Sequence, residues 1–281
     1  MSDSKQAPSP ILPADREAFE RDGYVHVTGL LNEATLAELE VTYMRFLRGE
    51  IPVEGRDFCD MAAEYQTGGS SADDRLTAVD RLDVLNVMLP RRYLPEWRGN
   101  AYERAAAEVA RALLPSATEL DYDQLVAKPP RRPGAVFHWH QDLAYWPATP
   151  DPETVTVWLA LDDTGDDNGC LNFVPGSHLE PELRPHVPLH GDRDTSHTIV
   201  AHIDEAKDHV VPAPIRRGDA LCFRERILHG SGGNTSDRWR RAYVVAYRSR
   251  ATVEAERAMG FTHSHGDDLA VLEKVSGLRS S

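Results

Sequence analysis

The sequence predicts a mainly β fold with flanking helices, in which an N-terminal helical layer packs on a β-sandwich or barrel core. Two observations predict it. Amphipathic segments with helix-capping signals dominate the chain up to about residue 114. After Leu120 the pattern changes to short apolar runs separated by Pro, Gly and Asp clusters, which is typical of strands in a sandwich or barrel.

Three helices are predicted in the first part of the chain. Pro13 opens the first and Gly23 ends it, because glycine readily adopts the left-handed backbone of a helix C-terminus. Asn32 can cap the second. The third begins near Asn100, with Glu103 placed for a capping box.

The segments around these helices are a strand at Tyr24–Val27 and a long polar loop at about 50–80. The predicted core strands are DQLVAK, AVFHWHQ, VTVWLAL, CLNFVP, HVVPA, DALCFRE and RAYVVAYR. No internal repeat is visible. We therefore expect one domain over residues 13–275, a disordered Ser/Pro-rich tail at 1–12 and a short tail at 276–281.

Composition narrows the class of protein. The 281 residues carry a net charge of −14, which argues against a nucleic-acid footprint or a polybasic membrane anchor. No signal peptide or membrane-spanning apolar stretch is visible. Three cysteines, Cys59, Cys170 and Cys222, cannot all pair, and reduced thiols are expected. We expect a cytoplasmic monomer or homodimer acting on a small molecule.

A candidate metal site lies in the run Phe137–Asp142. Alternate residues of a strand share a face, so His138, His140 and Asp142 would point the same way. An imidazole and a carboxylate supply two ligands of a facial triad, which leaves three positions open. The best candidate for the third ligand is His229, which precedes a glycine-rich turn. His138 remains an alternative ligand.

A second His-x-Asp sequence, His265–Gly266–Asp267, is expected to be a surface loop or a lid over the substrate entrance.

Cations near these residues suggest an anionic co-substrate. Arg240, on the strand after His229, could hold a carboxylate through two parallel hydrogen bonds. Lys128 precedes the His-x-Asp strand and could add a second positive group. Arg241 would face the opposite side, and a register slip of one residue would exchange the two arginines. A metal beside a buried cation suits the chelation of a keto acid.

Ordered motifs around these residues resemble the phytanoyl-CoA dioxygenase family of iron(II)- and 2-oxoglutarate-dependent oxygenases, over roughly residues 15–265. The matching pieces are Phe19-x-x-x-Gly23-Tyr24, Lys128, His140–Gln141–Asp142, Tyr145–Trp146–Pro147, Val157–Asp163, Asn168–Leu171, Pro175–His178, Gly218–Ala220, His229–Ser231 and Arg240.

The resemblance implies a double-stranded β-helix core, that is, a cupin-like jelly roll. It implies that the iron(II) ligands are His140, Asp142 and His229. It implies that Arg240 anchors the C5 carboxylate of 2-oxoglutarate with help from Ser231. Lys128 and Trp158 would line the same pocket.

The activity implied by the resemblance is a dioxygenase reaction with dioxygen that releases succinate and CO2. The expected outcome is hydroxylation of an unactivated C–H bond in a small, natural-product-like compound. An acyl-CoA hydroxylase, a catalytically silent metal-binding module and a zinc hydrolase are alternatives. Desaturation, cyclisation and epimerisation stay open. We expect the substrate pocket to be shaped by residues 50–80, Tyr145–Pro147 and residues 180–208.

Overall fold

The structure is a computed structural model that describes residues 11–63, 82–151, 153–193, 195–204, 206–265 and 271–272. Most of the predicted tail at 1–12 lies outside the described residues, as do residues 64–80 of the predicted loop and the tail at 276–281. Ile11 is described and is buried against the helical side of the core.

The helices begin and end where capping chemistry places them. Their bounds are α1 Pro13–Asp22, α2 Glu33–Leu47, α3 Pro90–Tyr93, α4 Ala101–Leu113 and α5 Arg250–Met259. Gly23 ends α1 with a φ of 86°, as predicted. The Asn32 side chain accepts a hydrogen bond from the Thr35 amide. Asn100 caps α4 in the same way, while the Glu103 carboxylate accepts from the amide of Gly99.

The described strands form two main sheets and one hairpin. They are β1 Tyr24–Val27, β2 Phe58–Asp60, β3 Leu85–Met88, β4 Glu119–Lys128, β5 Phe137–His140, β6 Thr154–Ala160, β7 Leu171–Phe173, β8 His186–Pro188, β9 Ile199–Ala201, β10 Val211–Ala213, β11 Ala220–Phe223, β12 His229–Ser231 and β13 Arg240–Arg248. The larger sheet has the order β1-β11-β6-β13-β4-β3-β2, and the smaller has the order β10-β7-β12-β5.

Alternation along the strands of the larger sheet separates its two faces. On β6, Val155, Val157 and Leu159 pack with the helices on the outer face. Thr156 and Trp158 point to the inner face, where a cavity opens between the two sheets. The fold is a jelly roll with a helical layer on one face, in agreement with the expected fold class.

Several short elements were missed in the sequence. The strand β2 lies inside the segment predicted as a loop. The strands β3, β8, β9 and β12 and the helices α3 and α5 were not predicted either. Most of these have three or four residues, too few for apolar periodicity to register. The three cysteines are buried and free. Among the described residues, the helices are too short or too polar to cross a membrane.

Candidate metal and co-substrate site

Two histidines predicted as ligands meet across neighbouring strands. His140 is the last residue of β5, His229 is the first of β12, and the two are paired in register. Their ring centroids are 4.2 Å apart and both side chains are buried. Antiparallel pairing therefore brings together two residues that are far apart in the chain.

Asp142 completes the group. It opens a short 3-10 turn after β5, and its Oδ1 atom lies 3.4 Å from His140 Nε2 and 3.6 Å from His229 Nε2. The other oxygen, Oδ2, accepts a hydrogen bond of 3.2 Å from the Thr156 hydroxyl. One ligand atom from each of His140, Asp142 and His229 lies within 4.8 Å of the other two. We call these three residues the triad.

The hydrogen bonds of the rings fix which nitrogen is free. His140 Nδ1 lies 2.7 Å from the carbonyl oxygen of His138, and His229 Nδ1 lies 3.0 Å from that of Ile227. A carbonyl can only accept, so each Nδ1 carries the proton and each Nε2 keeps its lone pair. Both lone pairs are therefore available for a metal ion beside Asp142.

The electrostatics of the triad suit a cation. Burial, together with the neighbouring His140 ring, lowers the pKa of His229 to about 4, so this imidazole is neutral at neutral pH. Burial alone would raise the pKa of Asp142. His229, His140 and the Thr156 hydrogen bond outweigh it, and the pKa is lowered. Within the described part of the chain, no Lys or Arg forms an ion pair with Asp142. The donor set fits a divalent metal of the facial-triad type.

The geometry of β5 differs from the simple alternation that the sequence predicted. His229 and Ser231 are two residues apart on β12, but their partners His140 and Phe137 are three apart on β5. This extra residue is a β-bulge, which turns Phe137 and His140 to the same side. His138 is not among the described residues that line the cavity, whereas Phe137 and His140 are.

Arg240 is the first residue of β13, opposite Lys128 on β4, and its guanidinium is almost completely buried. Nη2 donates to the Ser231 hydroxyl at 3.0 Å and Nε to the Gly169 carbonyl at 3.1 Å. The guanidinium carbon lies 5.4 Å from the centre of the Trp158 ring. Burial lowers the pKa of Arg240 to about 10, which still leaves it charged at neutral pH. Arg240, Ser231 and Trp158 all line the cavity.

Gly169 is required where it stands. Its φ is 78°, and a Cβ atom there would lie 2.4 Å from the Gly232 carbonyl oxygen. Only glycine accepts both this backbone conformation and the close approach that lets its carbonyl meet Arg240.

Lys128 lies behind the cavity wall. Its Nζ is 2.6 Å from the Ser231 hydroxyl and 2.6 Å from the Gly232 carbonyl oxygen, and it is not among the described cavity-lining residues. Burial, and then the charge of Arg240, lowers its pKa well below the ordinary value. Lys128 therefore contacts Ser231 and would not itself touch a molecule in the described cavity.

Arg241 faces the opposite side of the sheet. It forms ion pairs with Asp162 at 2.7 Å and with Glu40 at 2.5 Å, so protein carboxylates bind its guanidinium. Of the two arginines, Arg240 is the one that reaches the cavity.

The cavity wall includes all three regions expected to shape the pocket. Met61, Tyr145, Trp146 and His197 come from those regions. Arg193 also comes from residues 180–208, whereas the sequence did not single out the polar lining residues Tyr122, Gln124, Thr156 and His263. His265, expected on a surface loop or lid, is buried and lines the cavity, while Gly266 and Asp267 lie outside the described residues.

The family model described as phytanoyl-CoA dioxygenase matches residues 19–242. The chain belongs to the phytanoyl-CoA dioxygenase family. Members of this family are iron(II)- and 2-oxoglutarate-dependent dioxygenases that use molecular oxygen, so the expected enzyme class and cofactors are confirmed.

Known relatives cover different shares of this chain. A phytanoyl-CoA dioxygenase domain-containing protein 1 homolog of Caenorhabditis briggsae is 24% identical over 268 residues, 85% of this chain and 91% of the relative. L-proline trans-4-hydroxylase of Streptomyces griseoviridis is 32% identical over 136 residues, 41% of this chain and 48% of the hydroxylase.

A similar solved structure is EvdO2 from Micromonospora carbonacea var. aurantiaca, with 29% identity and a TM-score of 0.66. It matches 85% of this chain and 91% of its own. EvdO2 has also been solved in complex with 2-oxoglutarate.

Proposed function

We propose that the triad binds iron(II), that Arg240 and Ser231 bind the C5 carboxylate of 2-oxoglutarate, and that the enzyme hydroxylates a small, natural-product-like compound. One observation carries the proposal: two imidazole Nε2 atoms and a carboxylate oxygen converge within 4.8 Å at a cavity that also contains a buried guanidinium. The 2-oxoglutarate complex of EvdO2 and the proline hydroxylase relative support the same chemistry.

The triad residues would act through atoms whose orientation is already fixed. His140 and His229 present Nε2 because their Nδ1 protons are held by backbone carbonyls. Asp142 presents Oδ1 because Thr156 holds Oδ2. Such outer hydrogen bonds set ring orientation and raise ligand basicity. When bound, iron(II) would supply the redox chemistry by which dioxygen oxidises 2-oxoglutarate to succinate and CO2 and oxidises the substrate.

The co-substrate end of the cavity offers a donor for an anion. A serine hydroxyl has two acceptor sites and one proton. Arg240 donates to the Ser231 oxygen at 3.0 Å and Lys128 Nζ lies 2.6 Å from it. With both acceptor sites occupied by donors, the Ser231 proton is left to be donated to a carboxylate beside Arg240. Lys128 would thus act through Ser231, as a positioning residue.

The wall around the triad would keep water away from the reacting groups. The Phe223 ring lies 4.7 Å from the His229 ring, and Phe137 lies 5.0 Å from the His140 ring. Leu171 and Val244 extend the same apolar surface. Exclusion of water strengthens the interactions of charged groups inside such a site.

The test compares Arg240→Gln with Arg241→Gln, its neighbour on the opposite face. The full chain is loaded with iron(II) and titrated anaerobically with 2-oxoglutarate, and the charge-transfer absorption band is followed. We expect Arg240→Gln to raise the Kd at least about 30-fold, because losing one partner of a buried charge pair costs about 2 kcal/mol or more. Arg241→Gln should bind as the wild type does.

Succinate formation after admission of air is the second measurement. We expect the wild type to form succinate from 2-oxoglutarate and Arg240→Gln to form far less at the same concentration. A wild-type protein with neither the band nor succinate would contradict the proposal. A band without any succinate would favour the silent metal-binding module instead.

A further inference from the structure

A second arginine lines the same cavity. Among the described cavity-lining residues, the charged side chains other than histidines are Asp142, Arg193 and Arg240. The proposed function gives roles to Asp142 and Arg240 and none to Arg193. Arg193 lies between β8 and β9, whereas Arg240 is on the central strand β13, so the two arginines come from different elements.

Arg193 is part of a stacked group that leads to the triad. Its guanidinium carbon lies 5.3 Å from the centre of the Tyr145 ring. The His197 ring also stacks on the Tyr145 ring, with centroids 5.2 Å apart and an angle of 14° between the planes. Tyr145 in turn lies edge-on to His140 with ring centroids 5.7 Å apart. Arg193 therefore lies one aromatic ring away from a proposed metal ligand.

The stacked group is held by hydrogen bonds from several parts of the chain. His197 Nδ1 lies 2.7 Å from His265 Nδ1, which ties the β8–β9 segment to the segment after α5. The Tyr145 hydroxyl accepts a hydrogen bond of 3.1 Å from the Ile199 amide. The His265 amide donates to the buried Asp57 carboxylate at 3.0 Å. These bonds preorganise the wall before any ligand arrives.

The two histidines beside Arg193 are uncharged. Burial, His265 and the charge of Arg193 lower the pKa of His197 well below its ordinary value. Burial, Arg193 and Arg56 lower the pKa of His265 to about 3. The positive charge of this wall therefore belongs to the arginine, while the imidazoles contribute neutral hydrogen-bonding groups and flat surface.

We propose that Arg193, with Tyr145 and His197, forms an anion subsite that binds a carboxylate of the substrate. The substrate is then a small organic acid whose carboxylate lies at Arg193 and whose reacting carbon lies towards the triad. A planar guanidinium matches a carboxylate through two parallel hydrogen bonds. Met61, Trp146, Phe261 and Leu272 offer apolar surface to the rest of the molecule. This inference rests on the proposed function, since it assumes that iron and 2-oxoglutarate occupy their own ends of the cavity.

The experiment uses two probes of nearly the same shape, one an anion and the other a neutral amide. The full chain, loaded with iron(II) and saturated with 2-oxoglutarate without oxygen, is titrated calorimetrically with phenylacetate and with phenylacetamide. We expect the wild type to bind the acid about 10-fold or more tightly than the amide, as charge-assisted hydrogen bonds require. Arg193→Gln should remove this preference. Arg193→Lys keeps the charge but cannot form the two parallel hydrogen bonds, and it should retain part of the preference.

Controls separate this subsite from the 2-oxoglutarate site and from the fold. Arg131→Gln changes an exposed arginine that pairs with Asp237, and it should keep the full preference for the acid. All variants should show the wild-type charge-transfer band and melting temperature. Equal binding of acid and amide by the wild type, binding of neither, or a preference that survives Arg193→Gln would overturn the subsite. Absence of the band in the wild type would instead overturn the proposed function.

Discussion

Two groups of histidine and carboxylate side chains in this protein have almost the same composition and spacing. One is the triad. The other consists of Asp121, Glu256 and His263, whose ligand-type atoms also lie within 4.8 Å of one another. His263 lines the same cavity as the triad. Unlike the triad, the second group is in contact with two arginines, Arg248 and Arg257. We call these five residues together the ion-pair cluster.

The arginines neutralise the carboxylates of the ion-pair cluster. Arg248 Nη1 lies 3.4 Å from Asp121 and also contacts Glu256, and Arg257 contacts the other oxygen of Asp121. His263 Nε2 lies 2.8 Å from Asp121 and 3.3 Å from Glu256, so this nitrogen already contacts two carboxylates. A metal ion there would have to displace built-in cations. The triad has one carboxylate, two free Nε2 atoms and no such competitor among the described residues.

The difference teaches that charge compensation, more than ligand type or distance, separates a metal centre from a structural network. The ion-pair cluster also has a visible structural task. The Arg248 guanidinium lies 4.5 Å from the Trp146 ring centre, and His263 meets the same ring edge-on at 5.7 Å. Trp146 lines the cavity, so the cluster fixes one wall of the pocket that the triad serves.

The largest expected effect comes from Asp142→Asn. Removing the negative charge takes away a proposed iron ligand, and losing even an outer partner of a ligand typically costs 10–100-fold, so we expect succinate formation to fall by more than about 100-fold. Iron(II) affinity should fall as well, while urea unfolding changes little because the amide oxygen can still accept from Thr156. If this variant bound iron(II) as tightly as the wild type, the triad would not differ from the ion-pair cluster in metal binding through Asp142.

The second largest expected effect is a loss of stability in Asp121→Asn. This change removes one of the two carboxylates that Arg248, Arg257 and His263 share and leaves them Glu256, and breaking a buried ion pair costs about 3–5 kcal/mol. We expect the free energy of unfolding in urea to drop by that amount, while the folded fraction still binds iron(II). The matched control is Asp237→Asn, which removes the exposed partner of Arg131 and should change stability little. Loss of iron binding without loss of stability would reverse the two assignments.

Sequence reasoning singled out the residues of the triad from short motifs and their order along the chain. His140 and Asp142 are two residues apart, and His229 stands before a glycine-rich turn ahead of an arginine strand. Short apolar runs bounded by Pro, Gly and Asp clusters also located the long strands β4, β6 and β13. Spacing alone accounts for His140 and Asp142, which are neighbours in the chain, whereas His229 was chosen with the help of the flanking motifs.

The ion-pair cluster could not be found in the same way. Asp121, Arg248 and His263 are brought together only when β4, β13 and the segment after α5 are assembled. No spacing rule links them. The bulge in β5 was equally invisible, because inserting one residue leaves the composition of a strand unchanged. Arg193 stands in a polar loop where a solvated arginine is the ordinary expectation.

The smallest expected effect is a pH dependence that belongs to the ion-pair cluster alone. Burial would lower the pKa of His263, but hydrogen bonds and charge from Asp121 and Glu256 outweigh it and raise the pKa. The folded state therefore holds the proton more tightly than the unfolded state. The resulting stabilisation is fully present below the unfolded histidine pKa of about 6.5 and is lost as pH rises through the folded value. In the triad the change of stability with pH has the opposite sign, because the pKa of His229 is lowered.

Urea unfolding of the metal-free wild type and of His263→Asn, measured from pH 6 upwards, should give a stability difference that shrinks as pH rises. A difference that grows with pH would mean that His263 is buried neutral, and Arg248 and Arg257 alone would then balance the two carboxylates of the ion-pair cluster.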